Sequence, residues 1–182
     1  MIKSKKDLAQ YLLMDKKALG IVDEKKHPKL LGGGADIWKF EILLRKCEFY
    51  KNNYYGINKL LFRLYKMQFN KFSYKLGYTI PLNVIGSGLA LPHYGTIVIN
   101  SKSKIGKNCR IHVGVNIGAN GGSNAAPQIG DDVYIGPGAK IIGDITIADG
   151  VIIGANAVVC KSIDFPNTVW AGVPAKLLKK RC

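Results

Sequence analysis

The chain has 182 residues, of which 47% are hydrophobic and 21% charged, a composition typical of globular proteins. No apolar run reaches the roughly 18–20 residues that a membrane span requires, and no apolar signal core follows the N-terminus. The four cysteines are scattered, with no CxxC pair and no metal-ligand spacing. We therefore expect a cytoplasmic protein with reduced thiols and no metal site.

The net charge of +15 is unevenly distributed. Residues 1–78 carry 17 basic side chains against 7 acidic ones, residues 79–175 carry 6 against 5, and residues 176–182 add four basic residues without an acid. Nucleic-acid binding is one interpretation of such a balance, but no nucleic-acid motif accompanies it, and we expect no such partner. A phosphate-rich cofactor, an anionic substrate or an anionic membrane surface would use the same charge.

The N-terminal part of the chain has a helical pattern. Apolar residues spaced by three and four predict a first helix from Lys5 to Leu19, before a break at Gly32–Gly34. Asp36 is a candidate cap for a second helix, which ends near Asn52–Asn53. A third helix is predicted from Tyr54 to Leu76.

The pattern then changes to a period of six. A large aliphatic residue recurs at every sixth position, with one lapse at Ser123, and glycine often follows it. This period fits neither an α-helix nor a hairpin meander and is typical of a parallel β-helix, in which each hexapeptide forms one short strand and one corner. Chance enrichment of isoleucine and glycine in a parallel α/β sheet is the alternative. The series is Ile105, Ile111, Ile117, Ile129, Ile135, Ile141, Ile147, Ile153 and Val159.

We therefore predict an α+β fold with a helical region over residues 1–77 and a β-helix with a C-terminal tail over residues 78–182. Over roughly residues 78–180 the chain resembles the left-handed β-helix acyltransferases. The stretch LPHYGTIVI, residues 91–99, is similar to the active-site segment of serine acetyltransferases and of capsule-type sugar acetyltransferases. The stretches VNIGANGG (115–122) and AGVPAK (171–176) are similar to further motifs of that family.

The resemblance implies a left-handed β-helix that forms a homotrimer, with acetyl-CoA bound in the groove between neighbouring copies. It also implies that a histidine removes the proton from an acceptor hydroxyl, which then attacks the thioester directly. The chain has three histidines. His27 lies in a charged stretch and His112 follows an inward-pointing isoleucine, whereas His93 lies in the matching motif. His93 is therefore the expected general base, and a structural corner histidine is the alternative.

The resemblance also implies a set of cofactor-binding residues. Three small residues 18 positions apart are expected to stack along one edge and to line the pantetheine groove, beside a glycine. A cysteine matches a small residue near the adenine end, and two lysines match residues that contact the coenzyme A phosphates. The three small residues are Ala119, Pro137 and Ala155, and the glycine is Gly118. The cysteine is Cys160, and the two lysines are Lys176 and Lys179.

Three departures from serine acetyltransferases bear on the acceptor. Pro92 and Tyr78 stand where that family places two aspartates, and Ala125–Ala126 stands where it places an Arg-His pair. Because a zwitterion without charged partners is costly to desolvate, we expect a hydroxyl of a sugar or polysaccharide precursor as the acceptor, with serine as the alternative. The group that orients His93 is left open between a backbone carbonyl and a carboxylate of the helical region, such as Glu48.

Two other function classes share this repeat. The γ-type carbonic anhydrases need three histidine ligands for zinc, whereas only His93 and His112 lie in the repeat region. A non-catalytic trimeric scaffold is the other class, and it predicts that acetyl-CoA does not bind.

Overall fold

The computed structural model describes residues 1–21, 34–122 and 124–181. His27, the glycines at 32 and 33, the repeat lapse at Ser123 and Cys182 lie outside the described residues. The helices are α1 (Lys5–Ala18), α2 (Gly34–Asn52) and α3 (Asn58–Leu76). The first strands are β1 (Tyr78–Thr79), β2 (Ile97–Ile99), β3 (Lys104–Ile105), β4 (Arg110–Ile111), β5 (Asn116–Gly118), β6 (Gln128–Ile129) and β7 (Tyr134–Ile135). The remaining strands are β8 (Lys140–Ile142), β9 (Thr146–Ile147), β10 (Ile152–Ile153), β11 (Val158–Val159), β12 (Thr168–Ala171) and β13 (Lys176–Lys180).

The first helix begins and ends close to its predicted bounds. The Ser4 side chain accepts a hydrogen bond from the backbone N–H of Asp7, and the Asp7 carboxylate accepts one from Ser4 in return. This capping box satisfies backbone donors that the first turn of a helix otherwise leaves free. At the other end Leu19 is the C-cap, and Gly20 follows with a left-handed φ of 71°.

The other two helices differ from prediction at their starts. α2 begins at Gly34, so Asp36 lies within its first turn instead of capping it, and the Asp36 carboxylate pairs with Lys75 of α3. α3 begins four residues later than predicted because a turn precedes it. In that turn the N–H of Asn58 donates to the carbonyl of Tyr55.

The strands form a prism with three parallel faces. Face 1 contains β1, β2, β5, β8 and β11, face 2 contains β3, β6 and β9, and face 3 contains β4, β7, β10 and β12. β13 folds back antiparallel on β12 at the end of face 3. Each aliphatic residue of the predicted six-residue series is at most 5% exposed and points into the prism. The predicted β-helix is therefore confirmed.

One coil of the prism is longer than the others. Ile99 pairs with Ile117, 18 positions on, and Ile141 pairs with Val159 at the same spacing. Ile117, however, pairs with Ile141, 24 positions on, because a loop, described at residues 119–122 and 124–127, joins β5 to β6. The six added residues equal one hexapeptide, so the inward-pointing positions stay in register above and below the loop.

The helices attach to the first coil through buried charged groups. Arg45 of α2 is fully buried and donates hydrogen bonds to the Asp15 and Glu48 carboxylates and to the carbonyls of Ile85 and Gly86. The same Asp15 carboxylate accepts from the backbone N–H groups of residues 88 and 89 at 2.7 and 2.9 Å. Over the described residues no further coil stacks on the outer side of the first coil, and these side chains satisfy backbone groups that another strand would otherwise bind.

Candidate active site

The corner between face 3 and face 1, called here the 3–1 edge, carries the predicted base. His93 lies at this corner in the first coil, and Val113, Pro137 and Ala155 lie at the same corner in the three coils that follow. Backbone hydrogen bonds connect each corner to the next, for example from Gly138 to the carbonyl of Val113. Adjacent strands are about 4.8 Å apart, so His93 and Ala155 are separated by roughly 14 Å along the prism.

The imidazole of His93 is exposed, and within the described residues no hydrogen bond reaches it. Its ring centroid lies 6.0 Å from that of His112, which in turn lies 5.0 Å from the ring of Tyr134. The Nε2 atom of His112 is buried and has no hydrogen-bond partner among the described residues. Burial lowers the pKa of His112, with Arg110 and His93 adding to the effect, so this imidazole is neutral near pH 7. The sequence alone predicts only that His112 lies in the wall of the β-helix.

Two glycines shape the loop that bears His93. Gly95 has a φ of 131°, and a Cβ there would lie 2.4 Å from Cγ2 of Val113. Gly77 ends α3 with a left-handed φ of 77°, and a Cβ there would approach the backbone of Gly95 to 3.2 Å. The N–H of Gly95 donates to the carbonyl of Leu76. The end of α3 therefore lies directly against the loop that bears His93.

Tyr78 contacts the backbone of that loop. Its hydroxyl donates a 2.7 Å hydrogen bond to the carbonyl oxygen of His93. Its ring is 2% exposed and packs edge-on against Phe40 of α2. Burial raises the pKa of the Tyr78 hydroxyl, and the nearby Glu41 raises it further, so the group is a donor at physiological pH.

Glu41 is a second contact from α2 to the same segment. It is fully buried, and its Oε1 accepts a 3.3 Å hydrogen bond from the N–H of Leu91, two residues before His93. Its Oε2 has no partner among the described residues. Burial raises the pKa of Glu41 well above its usual value and Asp15 adds to the shift, so the folded protein favours the protonated form of this side chain.

Glu48, the carboxylate considered as a partner for His93, has a different role. One of its oxygens accepts from the N–H of Asn83 and the other from Arg45. Glu48 is therefore hydrogen-bonded at the contact between the helices and the first coil. The expectation that Glu48 orients His93 is wrong. The sequence alone could not distinguish Glu41 from Glu48, because both lie on α2 and both are buried.

The predicted cofactor residues fall on two edges of the prism. Pro137 and Ala155 are exposed on the 3–1 edge, above the turn formed by residues 172–175. Gly118 and Ala119 are half-buried at the corner between face 1 and face 2, called here the 1–2 edge. The expected stack of Ala119 with Pro137 and Ala155 is wrong, because the coil between them has 24 residues instead of 18.

The remaining predicted residues are all exposed. Cys160 lies on the 1–2 edge, after β11, whereas Lys176 and Lys179 lie on β13, paired with Ala171 and Val169 of β12. The other two described cysteines are buried, which raises the pKa of each thiol to about 12. Among the described residues no three His, Cys, Asp or Glu side chains cluster in a way that could hold a metal ion.

Comparison with known proteins identifies the repeat. Residues 126–161 match the family described as bacterial transferase hexapeptide (six repeats). The chain is 39% identical over 100 residues to a serine acetyltransferase of Mycobacterium tuberculosis, covering 54% of this chain and 43% of the relative. It is 42% identical over 103 residues to a serine acetyltransferase of Buchnera aphidicola, covering 55% and 39%. Over about half of its length the chain is therefore similar to serine acetyltransferases, and residues 126–161 carry the hexapeptide repeat.

Solved structures extend the similarity to the helices. The chain superposes on serine acetyltransferase from Neisseria gonorrhoeae with a TM-score of 0.68 and 28% identity, covering 97% of this chain and 66% of that one. It superposes on the Brucella abortus enzyme crystallised with coenzyme A with a TM-score of 0.70 and 26% identity, covering 98% and 70%.

The predicted fold class, three helices followed by a left-handed β-helix, is confirmed. The chain spans less than half the length of the curated relatives it matches. Among the described helices, none has the length and apolar character needed to cross a bilayer.

Proposed function

We propose that this protein is an acetyl-CoA-dependent O-acetyltransferase in which His93 is the general base. The observation that supports this most is the position of His93: an exposed imidazole at the start of the 3–1 edge, on which the small exposed residues Pro137 and Ala155 also lie. The similarity to an enzyme crystallised with coenzyme A supports acetyl-CoA as the donor.

The proposed chemistry needs one base and one hydrogen-bonding group. The His93 imidazole accepts the proton of the acceptor hydroxyl as its oxygen bonds to the acyl carbon, because an alcohol is a poor nucleophile at neutral pH. Acetyl-CoA supplies the acetyl thioester, and coenzyme A leaves as the thiol when His93 returns the proton to sulfur. Since the buried Nε2 of His112 has no hydrogen-bond partner in the described part of the chain, we assign it to hold the acceptor or the acyl oxygen.

The division of the cofactor residues between two edges supports a homotrimer. An extended pantetheine arm that runs parallel to the prism can contact Pro137 and Ala155, or Gly118 and Ala119, but not both pairs in one chain. A neighbouring copy that places its 1–2 edge against this 3–1 edge would bring both pairs to one groove. The exposed Lys176 and Lys179 are assigned to the phosphates, and Cys160 to the adenine end.

For the acceptor, the comparisons favour serine over the saccharide predicted from the sequence. The curated relatives named above are serine acetyltransferases, and the Neisseria gonorrhoeae enzyme crystallised with serine is 28% identical to this chain with a TM-score of 0.67. Serine is therefore the first acceptor to test.

A saccharide hydroxyl is the second candidate, because specific features of the site favour it. The hydroxyl of Tyr78 is already bonded to the His93 carbonyl, and Ala126 is 2% exposed, so neither position offers a charge to a zwitterion. A lipid-linked saccharide would also suit the basic helices, which we propose can meet an anionic membrane surface. The cytoplasmic location expected from the sequence remains a prediction.

The test is an assay of thiol release from acetyl-CoA with L-serine and with a panel of saccharides, using wild type and His93→Ala. We expect kcat/KM to fall by about 10²–10⁴-fold in His93→Ala without a change in circular dichroism or oligomeric state. Tyr94→Ala, which alters the exposed neighbour of His93, is the matched control and should keep most of the activity.

Turnover of serine supports the first acceptor, and turnover of a saccharide alone supports the second. Retention of wild-type kcat/KM by His93→Ala would overturn the assignment of the base. Failure to bind acetyl-CoA in calorimetry would overturn the proposed activity and favour the non-catalytic trimeric scaffold instead.

A further inference from the structure

The face of α3 that points away from the core is apolar, although it is exposed. We call the set of Ile57, Leu60, Leu64, Met67 and Tyr74 the outer stripe; its members are between 45% and 87% exposed. Their spacing of three, four, three and seven residues aligns them along one side of the helix. The opposite side of α3 meets the core through residues such as Phe69 and Leu76. The helix is therefore apolar on two sides, of which the protein buries only one.

Basic side chains border the outer stripe. Lys59 and Arg63 lie along one side of the outer stripe. Lys71 lies between Met67 and Tyr74 in the chain, and Lys75 directly follows Tyr74. α3 contains no acidic residue, and the sequence has none at all between Glu48 and Asp131. Lys75 pairs with the Asp36 carboxylate of α2, and the Lys75 side chain remains 56% exposed. The surface presented by α3 is thus both apolar and strongly positive.

Charge complementarity restricts what can cover this surface. An exposed apolar stripe of this length is rare on a surface that only meets water and usually marks an interaction site. A second copy of α3 laid against the first would bring the same cations together at short range, which opposes self-association. An anionic lipid surface presents negative charge and an apolar interior in the same plane, and it matches both properties.

We infer that the outer stripe docks on an anionic lipid surface, with α3 lying in the plane of the headgroups. The helix has 19 residues, so at about 1.5 Å per residue it offers a contact about 28 Å long. Leu60, Leu64 and Met67 enter the acyl boundary while the basic side chains remain among the headgroups. Tyr54 and Tyr55, exposed just before α3, supply amphipathic rings at one end of the contact. This docking does not depend on the proposed acetyl transfer.

The experiment is co-sedimentation with phosphatidylcholine vesicles, with and without phosphatidylglycerol. We expect wild type to bind only the vesicles that contain phosphatidylglycerol and to dissociate at high salt. Leu64→Gln combined with Met67→Gln removes apolar contact, and Arg63→Glu combined with Lys71→Glu reverses charge. Each pair should weaken binding by about tenfold or more. Phe165→Gln, at a phenylalanine 62% exposed on the β-helix, is the matched control and should bind like wild type.

Equal binding to neutral and anionic vesicles, or unchanged binding by both double variants, would overturn the inference. Sedimentation velocity tests the rival occupant: a smaller oligomer in the variants, without loss of vesicle binding, would assign the stripe to a second copy. Thiol release from acetyl-CoA with a soluble acceptor is measured in parallel and should be unchanged in every variant. Failure of docking is thus distinguished from failure of the proposed activity.

Discussion

The β-helix and the contact between the helices and the first coil satisfy buried backbone N–H and C=O groups by different means. In the β-helix each coil binds the next through strand hydrogen bonds, and one aliphatic residue per hexapeptide fills the interior. In the helical region Asp15, Glu41, Arg45 and Glu48 are buried where the helices meet the first coil. A repeating coil satisfies its neighbour's backbone, whereas the first coil depends on side chains that the repeat does not supply.

This difference explains where charge is tolerated. Buried charged groups are costly unless they are paired and fully hydrogen-bonded. Arg45 meets that condition through two carboxylates and two carbonyls, and both partner carboxylates also accept backbone N–H groups. Among the described residues Glu41 has no opposite charge within hydrogen-bond distance, and burial raises its pKa well above the usual value, which favours its protonated form. The following substitutions test whether the two regions really depend on different interactions.

The largest expected effect is that of Arg45→Ala. The change leaves the Asp15 and Glu48 carboxylates buried without a cation, which should lower the free energy of unfolding by about 3–5 kcal/mol. Urea denaturation measures it. Lys75→Ala removes a partly exposed ion pair with Asp36 and, as the control, should cost about 0–1 kcal/mol. Equal losses of unfolding free energy in the two variants would show that the buried ion pairs of Arg45 stabilise the fold no more than a surface pair does.

Within the β-helix, Ile135→Ala should cost about 2–5 kcal/mol, because it leaves a cavity in the middle of the aliphatic series. Ile135→Val removes one methylene group and should cost only about 0.5–1.5 kcal/mol at the same site. Urea denaturation again gives both values. A loss in Ile135→Ala no larger than that in Ile135→Val would mean that the interior collapses around the gap, contrary to a rigid stack of coils.

Glu41→Gln should change how stability depends on pH. The pKa of Glu41 is raised in the folded protein, so the folded state holds its proton above the pH at which the unfolded chain releases it. Wild type should therefore lose stability as the pH rises above about 4.5, by up to about 1.4 kcal/mol per pH unit until the folded pKa is reached. Gln cannot titrate and should lack this decline.

Thermal unfolding of both proteins between pH 5 and pH 8, roughly the range over which proteins are most stable, measures that difference. Asp164→Asn, at an exposed carboxylate, is the control and should track wild type at each pH. A constant gap between wild type and Glu41→Gln across this range would show that Glu41 has the same pKa in the folded and unfolded states.

The smallest expected effect is that of Tyr78→Phe, which removes the hydrogen bond to the His93 carbonyl and keeps the ring against Phe40. One such bond is worth about 0.5–1.5 kcal/mol, so kcat should fall by roughly 2–12-fold with little change in KM for acetyl-CoA. Steady-state kinetics on the accepted hydroxyl substrate separates the two constants. A rise in KM alone would place Tyr78 in binding and not in positioning the loop.

The β-helix could be predicted from the sequence because its signal is periodic and each coil depends only on its neighbours. Ile135, for example, points inward for the same reason as Ile153. The position of Ala119 could not be predicted, because counting by 18 fails where a coil contains 24 residues. The contacts behind His93 could not be predicted for another reason: Glu41 and Tyr78 meet its loop through tertiary packing, and no local pattern marks which acid will be buried.

The loop between β5 and β6 adds six residues to one coil and leaves the pairing of Ile117 with Ile141 intact. Its length can therefore vary in whole hexapeptides while His93 and Pro137 keep their separation along the 3–1 edge. Exchange of this segment during evolution would change the surroundings of the acceptor. It would leave the residues of the 3–1 edge, where we propose that acetyl-CoA binds, in their places. The same property makes the segment a natural point for grafting, in which loops from related proteins are inserted between Gly118 and Gln128 and screened for new acceptors.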